Sequence, residues 1–359
     1  RCARCKQASY CGAECQKAAW ADHKKSCGKG GDKEAGAPAG DKKASSPAPS
    51  VEVVSFKVME ATRACDWRGV LSWEGRMEEL LESRPDPSNC ETILAIFAEA
   101  HKKMCFESTS TEHAEKVIKL LSRREQLLGK LQRFRDQGEN LHSIADHLLL
   151  LPNRQLEAAN YLKRTRSIGA EHGFFGLEAL ACMGIGQLAL KTGNVGAGLE
   201  ALRQALTAAD FDEFEDAEYA GGSTIKVNVL RDLTSVLIGR NAIDEAEPLV
   251  ARFREEAKAE SARKGGVCFS ELFSLFANAR LLEARKKPRE AAAEFCSLLD
   301  VLHNNEIRAI PGMMPRYCEE MLGAAGETLK ILDPKSGEKD LIAGVAAARL
   351  KVARVQANQ

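Results

Sequence analysis

The sequence predicts an all-α fold. An alpha-solenoid of stacked helix-turn-helix repeats would fill residues 51–359, joined by a flexible linker at 28–50 to a small cysteine-rich module at 1–27. Three observations carry this expectation. Small or aliphatic residues fit to open the inner face of a helix recur at Val70, Ala114, Ala158, Gly198, Ala246 and Ala291, spaced by 44, 44, 40, 48 and 45 residues. Aromatic residues make up only 6% of the chain and alanine is abundant, a balance that favours helix over sheet. Of the twelve cysteines, Cys2, Cys5, Cys11, Cys15 and Cys27 crowd into the first 27 residues, and the other seven are scattered.

The repeats extend beyond one position. Four residues after each small residue, at one helical turn, stand Glu74, Ile118, Leu162, Leu202, Val250 and Phe295; seven after stand Met77, Leu121, Thr165, Ala205, Phe253 and Leu298. Only Glu74 and Thr165 break the apolar stripe. A period of 20–50 residues with one such stripe per helix marks a stacked helical array. The first helix of each pair shows in Ile93-Leu94 with Ile96-Phe97, in Ile144 with Leu148–Leu151, in Leu230, Leu233 and Leu237, and in Leu275, Leu281 and Leu282. The fourth repeat is the clearest. Gly186 and Gly198 would let two backbones approach closely, and Gly193-Asn194 supplies a left-handed turn. This register resembles the tetratricopeptide repeat, whose small residues stand at the eighth, twentieth and twenty-seventh places. The period here is near 44 rather than 34, so insertions at Asp212–Ser223 and Ala257–Val267 would carry the extra length. A longer-helix variant or a HEAT-like unit is the alternative within the same fold class. Two last helical stretches, Met313–Leu332 and Glu338–Val355, would cap the array.

Formal charge is zero overall but unevenly spread. Residues 1–27 carry six basic against two acidic side chains, the linker is +1, and the array must then be −5. The balance excludes a uniformly basic nucleic-acid binder and an acidic disordered chain. The linker, GKGGDKEAGAPAGDKKASSPAPS, has no large apolar side chain and cannot offset the entropy of ordering. No uncharged apolar stretch in the helical region exceeds about twelve residues (Ala179–Leu190), too short to cross a bilayer. The scattered cysteines, Cys65, Cys90, Cys105, Cys182, Cys268, Cys296 and Cys318, read as small core residues of a protein in an intracellular, reducing compartment, cytoplasm or nucleus.

Residues 1–27 have the pattern C-x2-C-x5-C-x3-C-x7-H-x3-C. A C-x2-C knuckle aims two thiolates at one metal, and the C-x3-C and H-x3-C pairs each lie on one face of a helical turn. Four soft or borderline ligands in a closed set suit a structural zinc. Only Tyr10 and Trp20 are large in this segment, so it would need the metal to fold. Spacing alone leaves open whether one site is formed by Cys2, Cys5, Cys11 and Cys15 or by another set.

Cys2-x2-Cys5, Tyr10-Cys11, Glu14-Cys15-Gln16-Lys17, Trp20, His23-Lys24 and Cys27 resemble the latter three-quarters of a MYND-type zinc finger. The resemblance covers under a tenth of the chain but its motif is specific. It implies two cross-braced zinc sites. Cys2, Cys5, His23 and Cys27 would complete one; Cys11 and Cys15 would belong to the other, whose remaining pair would lie upstream of the first residue. A chain extended at its N-terminus would then bind more zinc than this one. The resemblance also implies protein or peptide partners, often proline-containing. Nucleic acid is the less favoured partner, since no base-reading helix pattern accompanies the basic charge.

Zinc fingers of this type also occur on enzymes. The chain has no Gly-x-Gly-x-x-Gly, P-loop, Gly-x-Ser-x-Gly or His-Glu-x-x-His motif, and no Pro-Cys-x-x-Cys. The only segment with the His-x-carboxylate spacing of an oxygenase triad is His113-x-Glu115, in a helical run. The histidines outside the finger read as surface or capping residues. The expectation is a non-enzymatic, zinc-binding interaction scaffold with no small-molecule substrate. The alternatives are an enzyme with an unrecognised site in the helical region and a nucleic-acid-associated regulator.

Overall fold

A computed structural model describes residues 49–108, 110–211 and 225–304. The finger, most of the linker, the Asp212–Ser223 insertion, Cys318 and the two expected capping helices lie outside the described residues. The backbone divides into two units, Arg1–Pro49 and Ser50–Gln359.

Among the described residues of the second unit every element is a helix. α1 is Val51–Arg63, α2 Trp67–Leu71, α3 Met77–Ser83, α4 Pro87–Ser108, α5 Thr111–Lys130, α6 Phe134–Leu149 and α7 Gln155–His172. They continue with α8 Phe175–Lys191, α9 Val195–Phe211, α10 Ile225–Gly239, α11 Ile243–Lys264, α12 Phe269–Ala284 and α13 Pro288–Asn304. Consecutive helices pack against each other from α4 to α13. The expected helix-turn-helix array is therefore present.

The six small residues stand at one structural position. Each uses its backbone N–H to close the first turn of a second helix: Val70 onto Asp66, Ala114 onto Ser110, Ala158 onto Arg154, Gly198 onto Asn194, Ala246 onto Ala242 and Ala291 onto Lys287, at 3.0–3.4 Å. All six are buried. Five residues before the small residue, in each of the five repeats where that position is described, the chain turns through a left-handed residue: Cys65, Asn153, Gly193, Asn241 and Lys286, with φ between 53° and 80°. The next N–H then reaches back to a carbonyl of the preceding helix. Asp66 to Ala61, Asn194 to Ala189, Ala242 to Leu237 and Lys287 to Leu282 are all 2.9 Å, the bond that satisfies orphan carbonyls at a helix end. Side-chain caps add to this where the sequence allows. Asp66 accepts from Gly69 N–H at 2.9 Å and Asn194 from Ala197 N–H at 3.2 Å.

The stripe behind the small residues forms the core. Ile118, Leu162, Leu202, Val250 and Phe295 are buried, as are Leu121, Thr165, Ala205, Phe253 and Leu298. Thr165 is tolerated there because its hydroxyl donates to the Tyr161 carbonyl at 3.0 Å. Glu74 is the true departure. Its helix stops at Leu71, passes through a 3-10 turn at Glu74–Arg76, and resumes as α3.

Ion pairs repeat the period. Arg123–Glu78, Arg154–Glu115, Arg164–Glu125, Arg203–Glu245, Arg252–Asp210 and Arg285–Glu247 each join residues 38–45 apart, about one repeat. Most are exposed and each contributes little to stability. They report the register between repeats more than they hold it.

The extra length near residue 260 is carried mostly by helix. Ala257–Lys264 extend α11, which ends at Gly265 in a left-handed conformation (φ 65°). Ser261 and Glu260 are buried here, where Ser261 Oγ accepts from Cys268 N–H and Ser270 donates to Glu260 at 2.5 Å. The polar run 257–264 thus packs against the start of α12.

Candidate functional site

All six sequence-predicted metal ligands, Cys2, Cys5, Cys11, Cys15, His23 and Cys27, lie outside the described residues. Their donor chemistry, five thiols and one imidazole within 27 residues, is that of zinc. Among the described residues no group of three His, Cys, Asp or Glu side chains is placed to hold a metal ion. No described helix is long and apolar enough to cross a membrane.

The described array offers a layered surface. The first helices α6, α8, α10 and α12 pack on one another as well as on the second helices, whereas the second helices make no comparable contact among themselves. The first helices thus form one layer of the stack. Polar side chains cross it from helix to helix. His142 on α6 stands 3.3 Å from Asp146. Burial pushes His142 down, but Asp146 and a hydrogen bond to the Leu180 carbonyl of α8 outweigh it and hold its pKa above the ordinary histidine value. Gln187 on α8 donates to Asp232 on α10 at 2.6 Å, and the Arg231 guanidinium lies 5.5 Å from the Phe273 ring centroid on α12. These pairs tie α6 to α8, α8 to α10 and α10 to α12 along the layer.

A second polar cluster forms where the repeat pattern fails. Glu74 accepts from His101 Nε2 at 3.0 Å and from Lys116 Nζ at 3.2 Å. His101 Nδ1 lies 2.8 Å from His113 Nδ1. The carboxylate has no proton to give, so His101 carries its proton on Nε2. Its Nδ1 is then an acceptor, and His113 donates from Nδ1. Burial pushes the His101 pKa below the ordinary value, against the opposing pull of Glu74.

The His113-x-Glu115 spacing forms no site, as its helical setting implied, and one expectation about the histidines is corrected. His113 and Glu115 do not converge: His113 turns to His101, and Glu115 pairs with Arg154 at 3.1 Å. His101 and His147 are buried rather than on the surface or at caps. His147 is tolerated because Nδ1 bonds the Ser143 carbonyl one turn back at 2.7 Å, and burial pushes its pKa down. The contacts of His101 lie 27 and 12 residues away, outside any local window.

The scattered cysteines are free thiols among the described residues. Cys105 and Cys182 are buried as expected; Cys90, Cys268 and Cys296 are half-buried. Burial pushes the thiols of Cys105, Cys182, Cys268 and Cys296 up, away from reactive thiolate. Cys65 differs. It is exposed, because it occupies the left-handed turn position of the first repeat.

The family model of the MYND finger matches residues 1–27. The segment is a MYND-type zinc finger. MYND fingers bind zinc and are protein-interaction modules, so zinc is the metal of this segment. No curated protein matches the chain. Among solved structures, the crystal structure of BtubC (BKLC) from P. vanneervenii is similar at 15% identity and a TM-score of 0.46, over 74% of this chain and 96% of that one. A circular tandem repeat protein with novel repeat topology and enhanced subunit contact surfaces is similar at 16% identity and a TM-score of 0.33, over 85% and 81%. The repeat architecture itself is carried by this chain's own turns and packing.

Proposed function

We propose that the chain is a zinc-dependent protein–protein interaction scaffold in an intracellular, reducing compartment. The observation that carries this reading is the MYND finger match at residues 1–27, where six zinc donors stand at the finger's spacing. Cys2, Cys5, His23 and Cys27 hold one zinc, and Cys11 and Cys15 contribute to another. The finger at 1–27 docks short proline-containing peptides. The linker at 28–50 tethers it to the array at 51–359, whose first-helix layer is the second docking surface. Two modules on one flexible tether raise the effective concentration for a partner that engages both. The free, pKa-raised thiols support the reducing compartment.

A proline-containing peptide library presented to the zinc-loaded chain, to the chelated chain and to the isolated finger tests this. Zinc-dependent retention by the finger is expected. Retention that survives zinc removal, or no retained peptide in any arm, would overturn the reading.

A further inference from the structure

α1 is apolar on two opposite faces. Val54 and Val58 are buried against the array. On the other side Val53, Phe56 and Met59 are 46%, 62% and 38% exposed. An exposed apolar stripe rimmed by charged residues marks a contact surface. Every later first helix, from α4 to α12, has second helices packed on it, and α1 begins the described array.

The charges beside this stripe say what fits it. At 100° per residue, Glu52, Phe56, Met59 and Arg63 fall on one narrow line along α1, with Glu52 at its first turn and Arg63 at its last. Both charged residues are exposed. Glu52 accepts a local hydrogen bond from Ser50, which holds its carboxyl below the usual range and therefore ionised. A second α1 laid antiparallel about a two-fold axis at the middle of the helix brings Phe56 against Met59 of the other copy, and Met59 against Phe56. The same axis brings Glu52 against Arg63 at one end and Arg63 against Glu52 at the other. A parallel arrangement would set like charges together at both ends. We infer that the exposed face of α1 is a self-complementary contact through which two copies of this chain associate antiparallel.

This contact is isologous, as a two-fold interface must be. One face of a 13-residue helix, about 20 Å long, is smaller than the patch of a permanent dimer. Association is therefore reversible and weakens as salt rises, because its polar ends are exposed ion pairs. It makes the scaffold bivalent for whatever its other surfaces hold.

Sedimentation equilibrium of the full chain, zinc-loaded, tests this at low and high salt. The wild type should show a monomer–dimer equilibrium. Phe56→Asp should raise the dimer dissociation constant at least about tenfold, the cost of placing a carboxylate in an apolar contact. Glu52→Arg alone should weaken association several-fold, and Glu52→Arg with Arg63→Glu should restore it. Circular dichroism should show unchanged helix in each variant, since all three positions are exposed. A monomer throughout the concentration range, an unchanged constant for Phe56→Asp, or a double charge swap no better than the single would each overturn the proposal and leave the stripe to another partner.

Discussion

Gly186 of α8 and Gly198 of α9 face each other across the narrowest crossing in the fourth repeat. A Cβ placed on Gly186 would stand 3.1 Å from the Gly198 carbonyl oxygen, and one on Gly198 would stand 3.2 Å from the Gly186 oxygen. Leu202 closes on the first at 2.9 Å and Leu190 on the second at 2.7 Å. The leucines can move, but the two carbonyls belong to helices fixed by their neighbours. Alanine at either position gains about 1 kcal/mol of helix propensity and loses about 1–3 kcal/mol to overpacking, a net loss of about 0–2 kcal/mol. Valine adds two more carbons without that propensity gain. Gly198→Val should lower stability by about 2–3 kcal/mol, read as a lower urea midpoint. An unmoved midpoint would mean that the helices separate freely here.

Glu91 makes the second prediction. It is a buried carboxylate at the start of α4, accepting from Arg124 Nε at 2.6 Å and from Arg133 Nη1 at 3.0 Å. Arg124 also donates to Asn140, whose amide donates to the Leu121 carbonyl at 2.8 Å. Three helices thus meet on one charge. Removing it leaves Arg124 largely buried without its anion, while Arg133 can turn to water. Glu91→Ala should cost about 3 kcal/mol. Glu91→Met together with Arg124→Leu should recover part of that loss, because an apolar pair leaves no buried charge behind. Additive losses in the double variant, measured by denaturant titration, would contradict this.

The His101–His113 contact gives stability a pH dependence with a definite sign. The folded chain holds the His101 pKa below its ordinary value of 6.5, first through burial. As pH falls, the unfolded chain takes up that proton before the folded one does. The stabilisation is present above about 6.5 and is lost as pH falls from there through the folded value. A proton on His101 Nδ1 would set two N–H groups face to face at 2.8 Å. His101→Gln keeps the donor to Glu74 and removes the titrating ring. Its denaturation midpoint should change less between pH 7.5 and pH 5 than that of the wild type (roughly the range over which histidine titrates). Equal changes would place the acid sensitivity elsewhere.

The same residues show what was legible in the sequence. The six small residues could be found because stacking forces every repeat to place a small side chain at one crossing, and the chain repeats that demand at a readable interval. Glu74 was visible as a misfit, yet its meaning was hidden. Its partners His101 and Lys116 lie 27 and 42 residues away, and nothing local links them. Cys65 looked like the other scattered cysteines because the left-handed position of its turn shows only when all the repeats are superposed. The form of the Ala257–Val267 insertion was not legible. Its polar run Ala257–Lys264 continues α11, and the helix stops only at Gly265. The exposed apolar side of α1 lies outside the repeat's period, so the repeat pattern does not reveal it.

Zinc removal should act on the finger and spare the array. Residues 1–27 contain only Tyr10 and Trp20 as large side chains, too little core to fold without metal, whereas the array buries Phe97, Phe253 and Phe295 among many aliphatics. Chelation should therefore leave helical circular dichroism and the thermal transition almost unchanged while residues 1–27 become sensitive to protease. Single substitutions then separate the two ligand sets that spacing leaves open. If Cys2, Cys5, His23 and Cys27 share a zinc, Cys27→Ser should abolish that ion in metal analysis and Cys15→Ser should leave it in place. If instead Cys2, Cys5, Cys11 and Cys15 share it, the two variants should exchange behaviour. The first outcome is expected, because the cross-braced arrangement implied by the MYND pattern pairs the first knuckle with the histidine turn. Loss of the array's thermal transition on chelation would show that the metal supports more than the finger.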